Sequence, residues 1–119
     1  MKHDVGARFE RKAVRFLKSR SLELIECNFR CRHGEVDLIM RHNNCLVFIE
    51  VRYRKRNRFS TASGSIDSRK QHRIINTAAV YLARHPNYAS NPVRFDVVAF
   101  DAAENGHGRI QWLQDAFRA

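Results

Sequence analysis

No run of this chain is apolar for the roughly 20 residues that a membrane-spanning helix needs. The opening MKHDVGARFERK has no apolar core of the kind a secretory signal carries. Neither membrane insertion nor export is expected, and the chain reads as cytoplasmic. Acidic residues are scarce, with 12 Asp and Glu against 22 Lys and Arg, a net charge of +10. That excess creates a field that gathers polyanions and speeds their association. Cysteines are few and odd in number, Cys27, Cys31 and Cys45. No disulfide framework is therefore expected, and the thiols should be reduced. A zinc set of Cys27, Cys31, His33 and Cys45 lacks a paired, close-spaced knuckle and falls in presumptive strands, which favours buried or edge thiols. Internal repeats and low-complexity segments are absent.

What is present suits one domain over residues 1–119, with 44% hydrophobic residues to fill a modest core. A first helix is expected from Asp4, a good N-cap, with Val5, Phe9, Ala13, Phe16 and Leu17 on one apolar stripe. Glu10 lies at the edge of that stripe, and its spacing fits either a lean toward the core or an ordinary surface pair with a nearby arginine. Leu22 to Arg30 reads as a strand. A second helix is expected from near Asp67 to Arg84, stopped by Pro86, with Ile74, Ala78, Tyr81 and Leu82 inward. Its first turns carry Arg69, Lys70, His72 and Arg73. Cations there oppose the helix dipole, whereas an anion is favoured, so Lys70 and Arg73 read as phosphate contacts. Asn87 to Asn91 reads as a loop, Val93 to Phe100 as a strand, Asn105 to Gly108 as a turn and Arg109 to Leu113 as a short final strand. The order helix, three strands, helix, two strands implies an α/β sandwich.

The most informative stretch is GEVDLIMRHNNCLVFIEVRYR, Gly34 to Arg54. Its apolar runs, Val36 to Met40 and Cys45 to Val51, flank the turn-formers Asn43-Asn44, the pattern of a hairpin with a two-residue loop. That register sets His42 opposite Cys45, Ile39 opposite Phe48, Asp37 opposite Glu50 and Glu35 opposite Arg52. Side chains directly opposed in such a pair lie roughly 4.5–5.5 Å apart at Cβ, and like charges there are destabilising. Asp37 beside Glu50 therefore needs compensation: a divalent cation, a raised pKa, or neutralisation by Arg52 or Arg54. Beyond the hairpin comes RYRKRNRF, in which Arg52, Arg54, Lys55, Arg56 and Arg58 alternate with Tyr53 and Phe59. Because this run issues from the strand that bears Glu50, Arg54 and Arg56 are placed to hold phosphates. Ser60 to Ser65 is a small, polar loop.

GEVDLI followed by LVFIEVRYR closely resembles the YraN family of small bacterial proteins, whose pattern is GEIDLI and then LVFVEVKxR. Gly6, Glu10 and Ala13 match the family's opening helix, Asn28 and Arg30 its first strand, Lys70 and Arg73 its second helix, and RFDVV, Arg94 to Val98, its later strand. The resemblance implies the restriction-endonuclease-like, or PD-(D/E)xK, fold with a mixed central sheet flanked by helices, as in archaeal Holliday junction resolvases, which work as dimers. It also implies a metal site, with Asp37 and Glu50 holding Mg²⁺ or Mn²⁺, Glu10 acting through the outer shell, and Arg30, Lys70 and Arg73 meeting nucleic acid. Phe9 and Ser21 stand where family glycines are usual, and Arg52 replaces the family lysine.

The expected function is metal-dependent cleavage of structured or branched nucleic acid, with Glu10, Asp37, Glu50 and Arg52 as catalytic residues. Guanidinium is effectively never deprotonated, so Arg52 cannot serve as a base, although it can clamp a phosphate bidentately. That substitution keeps a rival reading open: a DNA- or RNA-binding protein with a site too altered to cut. A ribosome-associated or protein-interaction module also fits the charge. Fold likeness alone does not establish chemistry.

Overall fold

The structure, a computed structural model, describes residues 2–54, 66–101 and 108–119, with side chains from residue 5 onward except that of residue 54. Arg56, the Arg54 side chain, the Ser60 to Ser65 loop and all of the 105–108 turn but Gly108 lie outside that description. In order come helix α1 (Lys2–Lys18), strands β1 (Leu22–Cys31), β2 (Gly34–His42) and β3 (Cys45–Arg54), helix α2 (Ser68–Arg84), a 3₁₀ turn (Pro86–Tyr88), and strands β4 (Val93–Asp101) and β5 (Arg109–Phe117).

The strands form one sheet in the order β1-β2-β3-β4-β5. All neighbours are antiparallel except β3 and β4, which are parallel. Parallel neighbours need a crossover, and the connection carrying α2 supplies it. Along β3 the side chains alternate between two cores. Leu46 and Phe48 pack with Ile74, Ala78 and Tyr81 of α2, while Val47 and Ile49 pack with Ala13 and Leu17 of α1. The sheet is thus sandwiched between the helices, the expected restriction-endonuclease-like α/β arrangement.

The hairpin register is the expected one from His42↔Cys45 through Ile39↔Phe48 to Leu38↔Ile49. Asn43 takes the positive φ, 56°, that asparagine tolerates in a tight turn. The expected Glu35–Arg52 pair does not form: Glu35 faces Arg30 on β1 and bonds its Nε at 2.8 Å. At the other ends the boundaries shift. Helix α1 begins at Lys2, so Asp4 lies in its first turn instead of capping it. Strand β5 runs past Leu113 to Phe117, because the polar Gln114-Asp115 pair interrupts it without ending it. Asp115 takes φ 52°, the β4–β5 register shifts there, and Phe117 returns to the core. Asp67 caps α2 as expected, its Oδ1 accepting from the Lys70 amide at 2.8 Å.

Fully buried Asp96 locks the far half of the sheet. Its carboxylate accepts from Arg94 Nε (2.9 Å) and Nη2 (3.0 Å), from Trp112 Nε1 (2.9 Å) and from the Asp115 amide (2.9 Å). Arg94 Nη2 also lies 3.1 Å from His42 Nδ1, which ties β4 to β2.

Ser21 follows α1 with φ 73°, its amide bonding the Lys18 carbonyl at 3.0 Å. A left-handed residue after a helix is the usual place of glycine, and a side chain there costs roughly 1–2 kcal/mol. Ser21→Gly should recover part of that, about 0.5–1 kcal/mol after the extra chain entropy of glycine, read as a raised urea midpoint. A lowered midpoint would show that the serine side chain contributes more than its backbone strain costs.

Candidate metal centre

The acidic residues meet where the sheet opens. The β2–β3 ladder ends at Leu38↔Ile49, and beyond it the Val51 amide donates to Asp37 Oδ2 at 2.9 Å. A side-chain carboxylate thus takes the place of a backbone acceptor. That substitution turns Asp37 between the strands and onto Glu50, whose carboxylate shares a hydrogen bond with it. On the other flank, β1 is distorted at Asn28. This residue takes φ 55° between the paired positions Cys27↔Leu38 and Phe29↔Val36, and its side chain donates to Glu10 of α1. Asparagine is among the few residues that visit the left-handed region readily.

Carboxylate oxygens of Glu10, Glu35 and Asp37 all lie within 4.8 Å of one another. Glu50 adjoins them, nearly buried, with Lys70 Nζ of α2 at 2.8 Å from its Oε2. Glu35, Asp37, Glu50, Lys70, Arg73 and Ile74 line a cleft of about 180 Å³. The position of α2 is fixed by close contact with the β1–β2 turn. A Cβ on Gly34, at φ +147°, would come within 3.4 Å of Thr77 Oγ1 and 3.5 Å of Arg73 Cβ.

Electrostatics follow from this crowding. Burial, then the neighbouring Glu50 charge, push the Asp37 carboxyl up to about 8, against the lowering effect of the Val51 N–H. A proton is therefore held at neutral pH in the hydrogen bond that Asp37 and Glu50 share. Burial also raises Glu10. The Asn28 hydrogen bond opposes that shift, and the charges of Glu35 and Glu50 add to it. A carboxyl held protonated by its neighbours binds a divalent cation in exchange for its proton. An all-oxygen donor set suits Mg²⁺ or Mn²⁺. Two oxygens on one Mg²⁺ at about 2.1 Å lie no more than about 4.2 Å apart, so the 4.8 Å cluster needs only small side-chain rotations to close on one ion.

Of the residues singled out in the sequence, Glu10, Asp37, Glu50, Lys70 and Arg73 come together here. Compensation for the Asp37–Glu50 pair comes from a raised pKa, one of the sources the sequence offered, and from Lys70, which it did not. Alternation gives Arg52 the face of Glu50, but it does not line the cleft, and the side chain of Arg54 falls outside the described residues. Arg30 is exposed and held by Glu35 at the rim. Sequence reasoning missed Asn28 as a partner of Glu10 and Glu35 as a member of the cluster. The second was accessible, since Glu35 and Asp37 are two apart on one strand. Among the described residues the cysteines join no metal-binding group. Cys27 is exposed on the edge strand, Cys31 contacts Thr77 Oγ1 at 3.8 Å, and Cys45 contacts the Leu46 carbonyl at 3.8 Å. No helix among the described residues is long and apolar enough to cross a membrane.

Residues 9–100 match the uncharacterised protein family UPF0102. The chain is 47% identical to a UPF0102 protein of Nitrosococcus oceani over 115 residues, 97% of this chain and 92% of that one. It is 47% identical to one of Alkalilimnicola ehrlichii over 116 residues, 98% and 88% of the two chains. It is 41% identical to one of Alcanivorax borkumensis over 116 residues, 98% and 93%. The match runs from the middle of α1 through the hairpin and α2 into β4, taking in Glu10, Asp37, Glu50 and Lys70, and the chain belongs to the UPF0102, or YraN, family.

Proposed function

We propose that this chain is a metal-dependent phosphodiesterase acting on structured or branched nucleic acid. One observation carries the reading: four carboxylates from α1, β2 and β3 converge at a break in the sheet, beside cations of α2. Such crowding of like charge destabilises a fold and is expected where a site needs it. Asp37, Glu50 and Glu10 would hold Mg²⁺ or Mn²⁺, with Glu35 completing the set. The ion would orient and activate water and offset charge developing on the phosphoryl group. The residues of the chain do the rest. Asn28 aims Glu10, the Val51 amide fixes one Asp37 oxygen, and Arg73 and Arg30 lie on the exposed rim where a phosphate backbone would pass.

The test is incubation with branched and single-stranded DNA and RNA, in Mg²⁺, Mn²⁺ or chelator. Metal-dependent cleavage is expected, and Glu50→Gln should abolish it while leaving binding in chelator largely intact, because it removes a metal ligand and no phosphate contact. Binding without cleavage in either metal would leave a structure-selective binder, the reading that Arg52 in place of the family lysine favours.

Two further outcomes are expected. The Mn²⁺-induced rise in melting temperature should grow between pH 6 and pH 9, because the ion must displace the Asp37 proton, which is held up to about 8. An equal rise at both pH values would place the ion elsewhere. Arg30→Ala combined with Arg73→Ala should reduce the slope of log affinity against log salt for duplex DNA by about 2, near 0.9 for each phosphate no longer neutralised. An unchanged slope would place the backbone track on another face.

A further inference from the structure

The cation of this site comes from a different element than the motif provides. Two residues after Glu50, where the resemblance calls for lysine, stands Arg52, which does not line the cleft. A lysine is in the cleft nonetheless. Lys70 Nζ lies 2.8 Å from Glu50 Oε2, with the carboxylate end of the pair nearly buried and the lysine side chain 40% exposed at the mouth. Its backbone is held firmly. Asp67 caps its amide, Gln71 Nε2 bonds the Ile66 carbonyl at 3.0 Å, and Ile74, Thr77 and Ala78 bury the next turns of α2 against the sheet.

Helix stability does not explain this placement, because a cation in the first turn opposes the dipole. What holds it there is Glu50, so that the ammonium lines the cleft beside the acids. An ammonium carries three donors, and Glu50 engages one. Among the described residues no second partner engages Lys70 Nζ, and Arg73 lines the same cleft, where a phosphate would enter.

We propose that Lys70, delivered from α2, is the catalytic lysine of this chain and meets the scissile phosphate directly, leaving Arg52 outside the chemistry. The inference rests on the phosphodiesterase reading and adds a residue and an element to it. Glu50 then has two tasks, as a metal ligand and as the anchor that aims Lys70. Because the ammonium and a divalent ion share Glu50, they also compete for it.

The experiment compares the full chain with Lys70→Ala, Lys70→Met, Lys70→Arg and Arg52→Ala. It measures single-turnover cleavage of branched DNA in Mn²⁺, DNA binding in chelator, and Mn²⁺ affinity by calorimetry without DNA. Cleavage should fall about 10²–10³-fold in Lys70→Ala and Lys70→Met, the usual cost of removing one donor aimed at developing charge. Lys70→Arg should recover part of it, DNA affinity should fall far less than cleavage does, and Arg52→Ala should cleave within about threefold of the parent. Mn²⁺ should bind Lys70→Met about tenfold more tightly, because the competing ammonium is gone, and this outcome needs no cleavage. Undiminished cleavage by both neutral Lys70 variants, or a loss confined to Arg52→Ala, would overturn the assignment. So would Mn²⁺ affinity unmoved by Lys70→Met, which would mean that the ammonium and the ion do not share Glu50. Failure of the parent chain to cut any substrate would end the phosphodiesterase reading and this one with it, whereas failure of the variants alone to lose activity ends only this one.

Discussion

Asp37→Asn is expected to melt at a higher temperature than the unmodified chain in chelator at pH 8, and to lose cleavage completely. The sign follows from linkage. Asp37 has its carboxyl raised from the ordinary 3.8 to about 8 in the folded chain. Between those values the unfolded chain releases the proton and the folded chain keeps it, so stability falls as pH rises through that window and levels off above it. A tenfold difference in proton affinity between the two states corresponds to about 1.4 kcal/mol, so the full window represents several kcal/mol as an order of magnitude. Asparagine keeps an oxygen for the Val51 amide and an N–H for Glu50, without a proton to lose. The stability of the variant should therefore be flatter with pH than that of the parent, and its melting temperature should no longer respond to Mn²⁺. A parent chain whose metal-free stability is flat from pH 5 to pH 8 would contradict the placement of Asp37 among the other acids.

Asp96→Ala should be the most damaging substitution in the chain. Asp96 is fully buried and accepts four hydrogen bonds, two of them from Arg94. Removing it leaves a half-buried guanidinium, the Trp112 N–H and the Asp115 amide unsatisfied together. Breaking a buried ion pair from one side costs about 3–5 kcal/mol, against a total stability of about 5–15 kcal/mol for a domain. The expected result is a urea midpoint lowered by a third or more, or no cooperative transition at all. Glu23→Ala offers the comparison: its pair with Arg41 is exposed and should contribute less than about 1 kcal/mol. Equal losses from the two substitutions would mean that the Asp96 network is not what closes β4 against β5.

The parts of this fold that could be read from the sequence are those set by local periodicity. The β2–β3 register follows from two apolar runs around Asn43-Asn44, and the start of α2 from Asp67 as its cap. The same register set Asp37 beside Glu50, and the two share a hydrogen bond. What escaped depends on contacts distant in sequence. Lys70 reads as a free phosphate ligand until α2 is laid across the sheet, and only then does Glu50, twenty positions earlier, claim it. Asn28 looks like an ordinary strand residue because its left-handed backbone is imposed by the site around it. The C-terminal half of β5 was hidden by its own polar bulge at Asp115.

The early end of the β2–β3 ladder gives the protein a reporter of its own. Val51 donates its amide to the side chain of Asp37, where the next residues of an uninterrupted ladder would bond backbone to backbone. That nitrogen is therefore bonded directly to the acid cluster. In a ¹⁵N-labelled sample its resonance should titrate with the proton of Asp37 and jump when a divalent ion arrives, so that occupancy can be followed at one peak without substrate, mutation or added probe.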